Sequence, residues 1–197
     1  MKLPIIAYGD PILRKKAVDI STDLPDLDTT ISNMFETMYA AHGVGLAAPQ
    51  VGLSIRLFIV DGRPFAEDEK ELADFKKVFI NPQILEESGD EWTFNEGCLS
   101  IPDIREDIRR QQKIHIAYLD EKGQAHEETY TGLAARIIQH EYDHIEGKLF
   151  IDKLSPLRKT MLKNKLDSIS KGFIKVDYKM KFPISKGSPG KMRKKKR

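Results

Sequence analysis

The stretch TGLAARIIQHEYDHIEG, residues 131–147, decides how the rest of the chain is read. Thr131 can cap a helix N-terminus, Leu133, Ile137, Glu141 and His144 recur at helical spacing, and Gly147 supplies a stop. A helix of about four turns follows. Its first half, Leu133 to Ile138, is mostly apolar, so the helix is expected to be buried and its polar residues to need partners. Positions i and i+4 lie one above the other, which lets His140 and His144 share one ion. Glu141 beside them completes the H-E-x-x-H arrangement, two imidazoles for a metal and a carboxylate for the proton of a bound water. Two histidines alone on a helix are more often structural. The intervening Glu and the buried flank tip this pair toward a metal site.

Two ligands do not make a catalytic centre, which usually has three from the protein and an open position. Cys98, the single cysteine of the chain, is the natural third. A lone Cys is commonly just a small buried apolar residue, but the flanks of this one argue otherwise. Glu96 can orient a ligand or a substrate amide, Gly97 permits close backbone approach, and Ser100-Ile101-Pro102 marks a turn or strand end. An ordinary zinc peptidase remains an alternative, although no His follows His144 to serve as its downstream ligand. A structural metal in a non-enzymatic module is a further alternative; such sites are usually closed by four ligands.

Working outward, Ile31, Met34, Phe35, Met38, Tyr39 and His42 predict an amphipathic helix over 28–42, ended by Gly43. The run 55–61 reads as a buried strand, and 76–85 as a second one interrupted at Asn81-Pro82. Between them, 63–74 looks like an acidic, exposed insertion. Alternation over 113–120 and 124–130 around Glu121-Lys122-Gly123 predicts a β-hairpin leading into the His helix. A further helix is expected from Ser155-Pro156 to about Ser170, and a closing strand within 173–182. His42, His115 and His126 lack metal spacing and read as structural or exposed.

Composition sets the outer limits. At 197 residues the chain suits one domain with a real core. No apolar run approaches the roughly 18–20 residues of a membrane span, and no signal-type run follows Met1, so a cytoplasmic protein is expected. One cysteine fits a reducing compartment. The net charge of +2 hides an asymmetry: residues 186–197 hold seven Lys or Arg and no acid, which leaves the rest at −5. The tail, 184–197, is therefore expected to be disordered, either a solubilising end or a contact for ribosomal RNA.

Three separated blocks carry a family resemblance. Gly43 to Gln50 reads GVGLAAPQ, Glu96 to Ser100 reads EGCLS, and Gln139 to His144 reads QHEYDH. These resemble, in order, the peptide deformylase motifs G-x-G-L-A-A-x-Q, E-G-C-L-S and Q-H-E-x-D-H, and the likeness runs from about Tyr8 to Pro156. It implies an α+β fold in which antiparallel sheets pack around the central H-E-x-x-H helix, with one catalytic domain over 1–183. It also implies hydrolysis of the N-formyl group from N-formylmethionyl nascent peptides, releasing formate. Carried over residue by residue, Cys98, His140 and His144 become the metal ligands and Glu141 the general base and acid. Gln50 and the backbone N–H of Leu99 become the oxyanion donors. Gly45, Glu96 and Gly97 then lie by the formyl-peptide, Val44, Phe94, Leu133 and Ile137 line a methionine pocket, and Arg105 meets the substrate backbone further along. The resemblance implies one divalent ion, Fe(II) in the cell, with Zn(II), Ni(II) or Co(II) as substitutes. Three positions depart from the family's usual residues: Pro49, Tyr142 and Arg136, the last expected to narrow or polarise the pocket rim.

Overall fold

A computed structural model describes residues 1–21 and 23–183. Its strands are β1 (Ile5–Ile6), β2 (Gly45–Ala47), β3 (Leu57–Asp61), β4 (Lys76–Cys98), β5 (Ile101–Leu119), β6 (Ala125–Thr131) and β7 (Met180–Lys181). Its α-helices are α1 (Leu27–Ala40), α2 (Gly132–Ile145) and α3 (Pro156–Ser170). Strands β2 to β6 form one antiparallel sheet in sequence order, while β1 and β7 pair in parallel as a separate two-stranded sheet. The basic tail expected over 184–197 lies outside the described residues.

The apolar run of β3 is covered on both faces, which is why it shows no polar alternation. Leu57 and Ile59 face α1, against Leu27, Ile31, Met34 and Met38, whereas Phe58 and Val60 face the other way, toward Ala135, Ile137 and Ile138 of α2. Helix α2 thus lies under the sheet, packed on β2, β3, β5 and β6. It is buried nearly all round, as its first half predicts. A third cluster joins Ile101, Ile104 and Ile108 of β5 to Leu162, Leu166 and Ile169 of α3.

Helix α1 ends two residues before the expected limit. His42, at φ 56°, takes the left-handed position, and the N–H groups of His42 and Gly43 return to the carbonyls of Tyr39 and Met38. Gly43 is needed for closeness instead: a Cβ there would stand 2.8 Å from Leu99 Cδ1. Gly147, at φ 70°, terminates α2 as expected, with Lys148 N donating to Asp143 O. Thr131 precedes α2 in an extended conformation, but its side chain makes no capping hydrogen bond.

The largest departure is the length of β4 and β5. Asn81-Pro82 does not end β4: Asn81, at φ 48°, sits at a register shift and its side chain bonds both the N–H and the C=O of Ile20. The 63–74 segment is not simply exposed either, because two 3-10 turns place Leu72 in the core at 1% exposure and Phe65 against it. The expected strand over 173–182 shrinks to Met180–Lys181, since Tyr178 turns aside to donate from its hydroxyl to Leu99 O at 2.8 Å.

On the face of the sheet that carries the α2 core, Lys77, Tyr118 and Tyr130 converge on the Glu128 carboxylate, with Tyr118 Oη at 2.6 Å and Lys77 Nζ at 3.0 Å. Partial burial opposes ionisation, but these donors outweigh it and lower the Glu128 carboxyl from 4.5 to about 2. A depressed folded-state value stabilises the fold above the unfolded one, and the benefit disappears as pH falls through the folded one. Glu128→Gln should therefore destabilise at pH 7. Denaturant melts should show the difference from wild type narrowing between pH 4.5 and about 2; a difference independent of pH would contradict this assignment.

Candidate metal centre

The β4 strand presents Trp92, Phe94, Glu96 and Cys98 on one face, two residues apart, and directs them at α2. Its turn into β5 is only Leu99-Ser100. Three contacts fix that turn: Tyr178 Oη on Leu99 O at 2.8 Å, Tyr8 N on Ser100 O at 2.9 Å, and Gln50 Nε2 on Ser100 Oγ at 3.3 Å.

Beneath the turn, one ligand-type atom each from Cys98, His140 and His144 lies within 4.8 Å of the others. Cys98 Sγ is 3.3 Å from His144 Nε2. The ring centroids of His140 and His144 are 5.2 Å apart and steeply inclined, as i and i+4 residues sharing a point should be. His140 Nδ1 lies 2.9 Å from Glu96 Oε2. A carboxylate only accepts, so Nδ1 carries a proton and Nε2 is the nitrogen that can serve the centre. The donor set, one sulfur and two imidazole nitrogens with one side open to a cleft, fits a transition-metal ion.

The electrostatics follow from burial and neighbours. Burial opposes charge on His140, but Cys98 and Glu96 outweigh it and raise its pKa to about 10. A metal taking the Nε2 lone pair therefore displaces a proton. His144 goes the opposite way, held well below the usual histidine value by burial and by His140 and Arg110. Burial also raises the Glu141 carboxyl to about 7, with His140 opposing. Its Oε2 has no hydrogen-bond partner among the described residues, an unusual state for a buried carboxylate and one suited to a group that exchanges protons.

Glu96 is held by more than His140. Its Oε1 accepts from Arg110 Nε at 2.7 Å and Arg136 Nη1 at 2.9 Å, and its Oε2 from Arg110 Nη2 at 3.0 Å. Burial alone would raise this carboxyl, yet His140 and Arg110 hold it far below the usual range. Arg110 also reaches Asp143 Oδ2 at 2.6 Å. Arg136 borders the cleft as expected, but it is only 1% exposed, and it bonds Trp92 O and Ile108 O as well as Glu96, with its guanidinium over the Trp92 ring. The polar character of the position is spent inside the protein, on Glu96 and two strand carbonyls.

The centre opens into a cleft of about 890 Å³. Val44, Gly45, Gln50, Phe94, Glu96, Gly97, Cys98, Leu99, Arg105, Leu133, Ile137, His140 and Glu141 all line it, while His144 sits behind the wall at 1% exposure. Gln50 is fixed in place, its Oε1 accepting from Ala47 N at 2.8 Å and its Nε2 turned toward Cys98 Sγ at 3.4 Å. Arg105 is exposed and bonded to Asn95 at its side chain and carbonyl. Sequence reasoning missed Phe65, Tyr178 and the 175–177 stretch in the lining, and Arg110 behind it. None of these carries a periodic or motif signal; only proximity in the fold brings them here.

Comparison with known proteins agrees with this geometry. The family model described as polypeptide deformylase matches residues 2–160. The peptide deformylase of Christiangramia forsetii is 63% identical over 94% of this chain and 98% of its own, and that of Flavobacterium johnsoniae 53% over the same shares. Among solved structures, a peptide deformylase from Legionella pneumophila superposes with a TM-score of 0.75 at 43% identity, covering 85% of this chain and 95% of its own. One from Thermotoga maritima gives 0.71 at 42% identity, covering 79% and 99%.

Gly45 has no room for a side chain, because a Cβ there would come within 2.8 Å of Glu141 Cδ and Cγ, and closer to Oε1. Gly45→Ala is expected to cost about 1–3 kcal/mol of unfolding free energy and to displace Glu141 while sparing metal binding. Denaturant titration with metal analysis checks both. Undiminished stability together with an unmoved Glu141 would show that the contact is not tight.

Proposed function

This chain belongs to the polypeptide deformylase family, whose members remove the N-formyl group from nascent peptides, and from that premise we propose how its own residues divide the reaction. The observation that carries the reading is the convergence of Cys98, His140 and His144 beside the unpartnered carboxylate of Glu141 at the foot of the cleft. These three residues would hold one divalent ion through Sγ and two imidazole nitrogens. When bound, such an ion supplies Lewis acidity, making water at the site a nucleophile near neutral pH and polarising the formyl oxygen. Fe(II) is the proposed working ion, with Zn(II), Ni(II) or Co(II) as substitutes compatible with the same donors.

Glu141 takes a proton from the attacking water. As the C–N bond of the formamide breaks, it passes a proton to the departing amine, so that formate and a free N-terminal methionine leave. Burial, which opposes the charged carboxylate, favours its taking up the proton of the water. Gln50 Nε2 and the Leu99 N–H donate to the formyl oxygen as negative charge builds on it. The Ala47 and Ser100 contacts of Gln50 support this role because they set the amide before substrate arrives. Glu96 orients His140 and closes one side of the cleft, with Gly45 and Gly97 allowing the substrate backbone to approach. Val44, Phe94, Leu133 and Ile137 take the methionine side chain, and Arg105 meets the backbone beyond it. The proposed setting is the cytoplasm, on chains leaving the ribosome, with residues 1–183 as one catalytic domain and the basic tail 184–197 adding electrostatic attraction to ribosomal RNA.

The test is formate release from a formyl-Met peptide by anaerobically purified protein, alongside Glu141→Gln. The variant should keep wild-type metal content and lose about 100-fold or more in kcat. Turnover by the variant near the wild-type rate, or loss of its metal, would overturn the role given to Glu141. Failure of the wild-type, metal-loaded protein to release formate would overturn the whole reading.

A further inference from the structure

Phe65 lies in the segment between β3 and β4, away from all three motif blocks, yet it lines the same cleft as Val44, Phe94, Leu133 and Ile137. All five side chains also belong to one hydrophobic cluster, so Phe65 stands at the apolar end of the cleft. The turn that carries it is built to stay. Asp61, at 2% exposure, accepts from Arg63 Nε at 2.8 Å and from Tyr39 Oη at 2.6 Å. Phe65 N donates to Gly62 O at 2.9 Å, and Phe65 O accepts from Glu69 N at 2.8 Å. Gly62 N is tied to Phe75 O, and a Cβ on Gly62 would already press within 3.0 Å of the Phe75 ring. The ring is only half-buried although its backbone is fixed, which leaves part of its surface facing the cleft.

Resting on the deformylase reading, we infer that Phe65 is a specificity-determining residue, an aromatic wall that with Phe94 recognises the thioether sulfur of the substrate's first side chain. A purely aliphatic pocket of the same size ranks methionine and norleucine by shape and by the ease of dehydrating each side chain, and gives the sulfur no contact of its own. An aromatic wall separates them, because a polarizable sulfur gains from contact with a ring and a methylene gains less. The segment at 63–74 then acts by delivering this ring to the cleft.

The experiment compares kcat/KM for matched formyl-methionyl and formyl-norleucyl peptides across wild type, Phe65→Leu and Phe65→Tyr, all metal-loaded. Wild type should prefer methionine, Phe65→Leu should lower that preference by about threefold, and Phe65→Tyr, which keeps the ring, should retain it. An equal loss on both substrates in Phe65→Leu would mean that Phe65 only shapes the pocket, and would overturn the inference. So would a preference lost in Phe65→Tyr despite a native melting temperature. Wild-type protein that releases formate from neither peptide contradicts the deformylase reading itself, an outcome distinct from a deformylase indifferent to the change at Phe65.

Discussion

A single buried carboxylate, Glu96, ties together the elements on which the centre depends. It leaves β4 one residue-pair before Cys98, receives both Arg110 from β5 and Arg136 from α2, and contacts His140 Nδ1 on α2. Arg110 extends the network to Asp143, next to His144. Two arginines and two acids balance, so the network carries little net charge into the interior before His140 is counted. Such networks do not reliably add net stability, but removing one member leaves its partners buried and uncompensated, which is strongly destabilising. The geometry of the centre is therefore set by a cluster with few alternative arrangements.

The same network explains what could be read in the sequence. Helix α2 was legible because its burial is apolar and its His pair has strict spacing. The near half of β5 was not. Its inward positions run Ile104, Glu106, Ile108, Arg110, so charged residues occupy sites where alternation would require apolar ones. Glu106 is balanced by Arg158 of α3 and Arg110 by Glu96 and Asp143, partners that only the fold supplies. Arg136 was visible as a departure, but nothing local indicates that it turns inward to Glu96 and the Trp92 ring. Phe65 sits in a turn held largely by its own neighbours and Tyr178 in an irregular stretch tied to Leu99 O through its hydroxyl, and their approach to the cleft leaves no periodic trace. What the motifs did convey was the set of residues at the centre, because there the chemistry constrains residue type and spacing together.

Around this frame, the reactive groups are prepared before substrate arrives. Gln50 is held at both ends of its amide, the Leu99-Ser100 turn is pinned from three directions, and Glu141 Oε2 is left without a partner among the described residues in a space kept clear by Gly45. Fixed donors at a developing negative charge lower a barrier without reorganising during reaction. An unpartnered buried carboxyl costs stability and gains proton affinity. Rigidity in Glu96 and freedom in Glu141 are complementary: one carboxylate is saturated so that it positions, the other is left unsaturated so that it reacts.

The most direct measurement of this account is the affinity of Glu96→Gln for Zn(II) or Co(II), determined by chelator competition beside wild type under the same conditions. If Glu96 sets the tautomer and orientation of His140, affinity should fall by about 10- to 100-fold. The far-ultraviolet circular dichroism should stay native, so that the loss reads the centre and not the fold. A natively folded Glu96→Gln protein that binds the ion as tightly as wild type would contradict the claim that this carboxylate organises the centre.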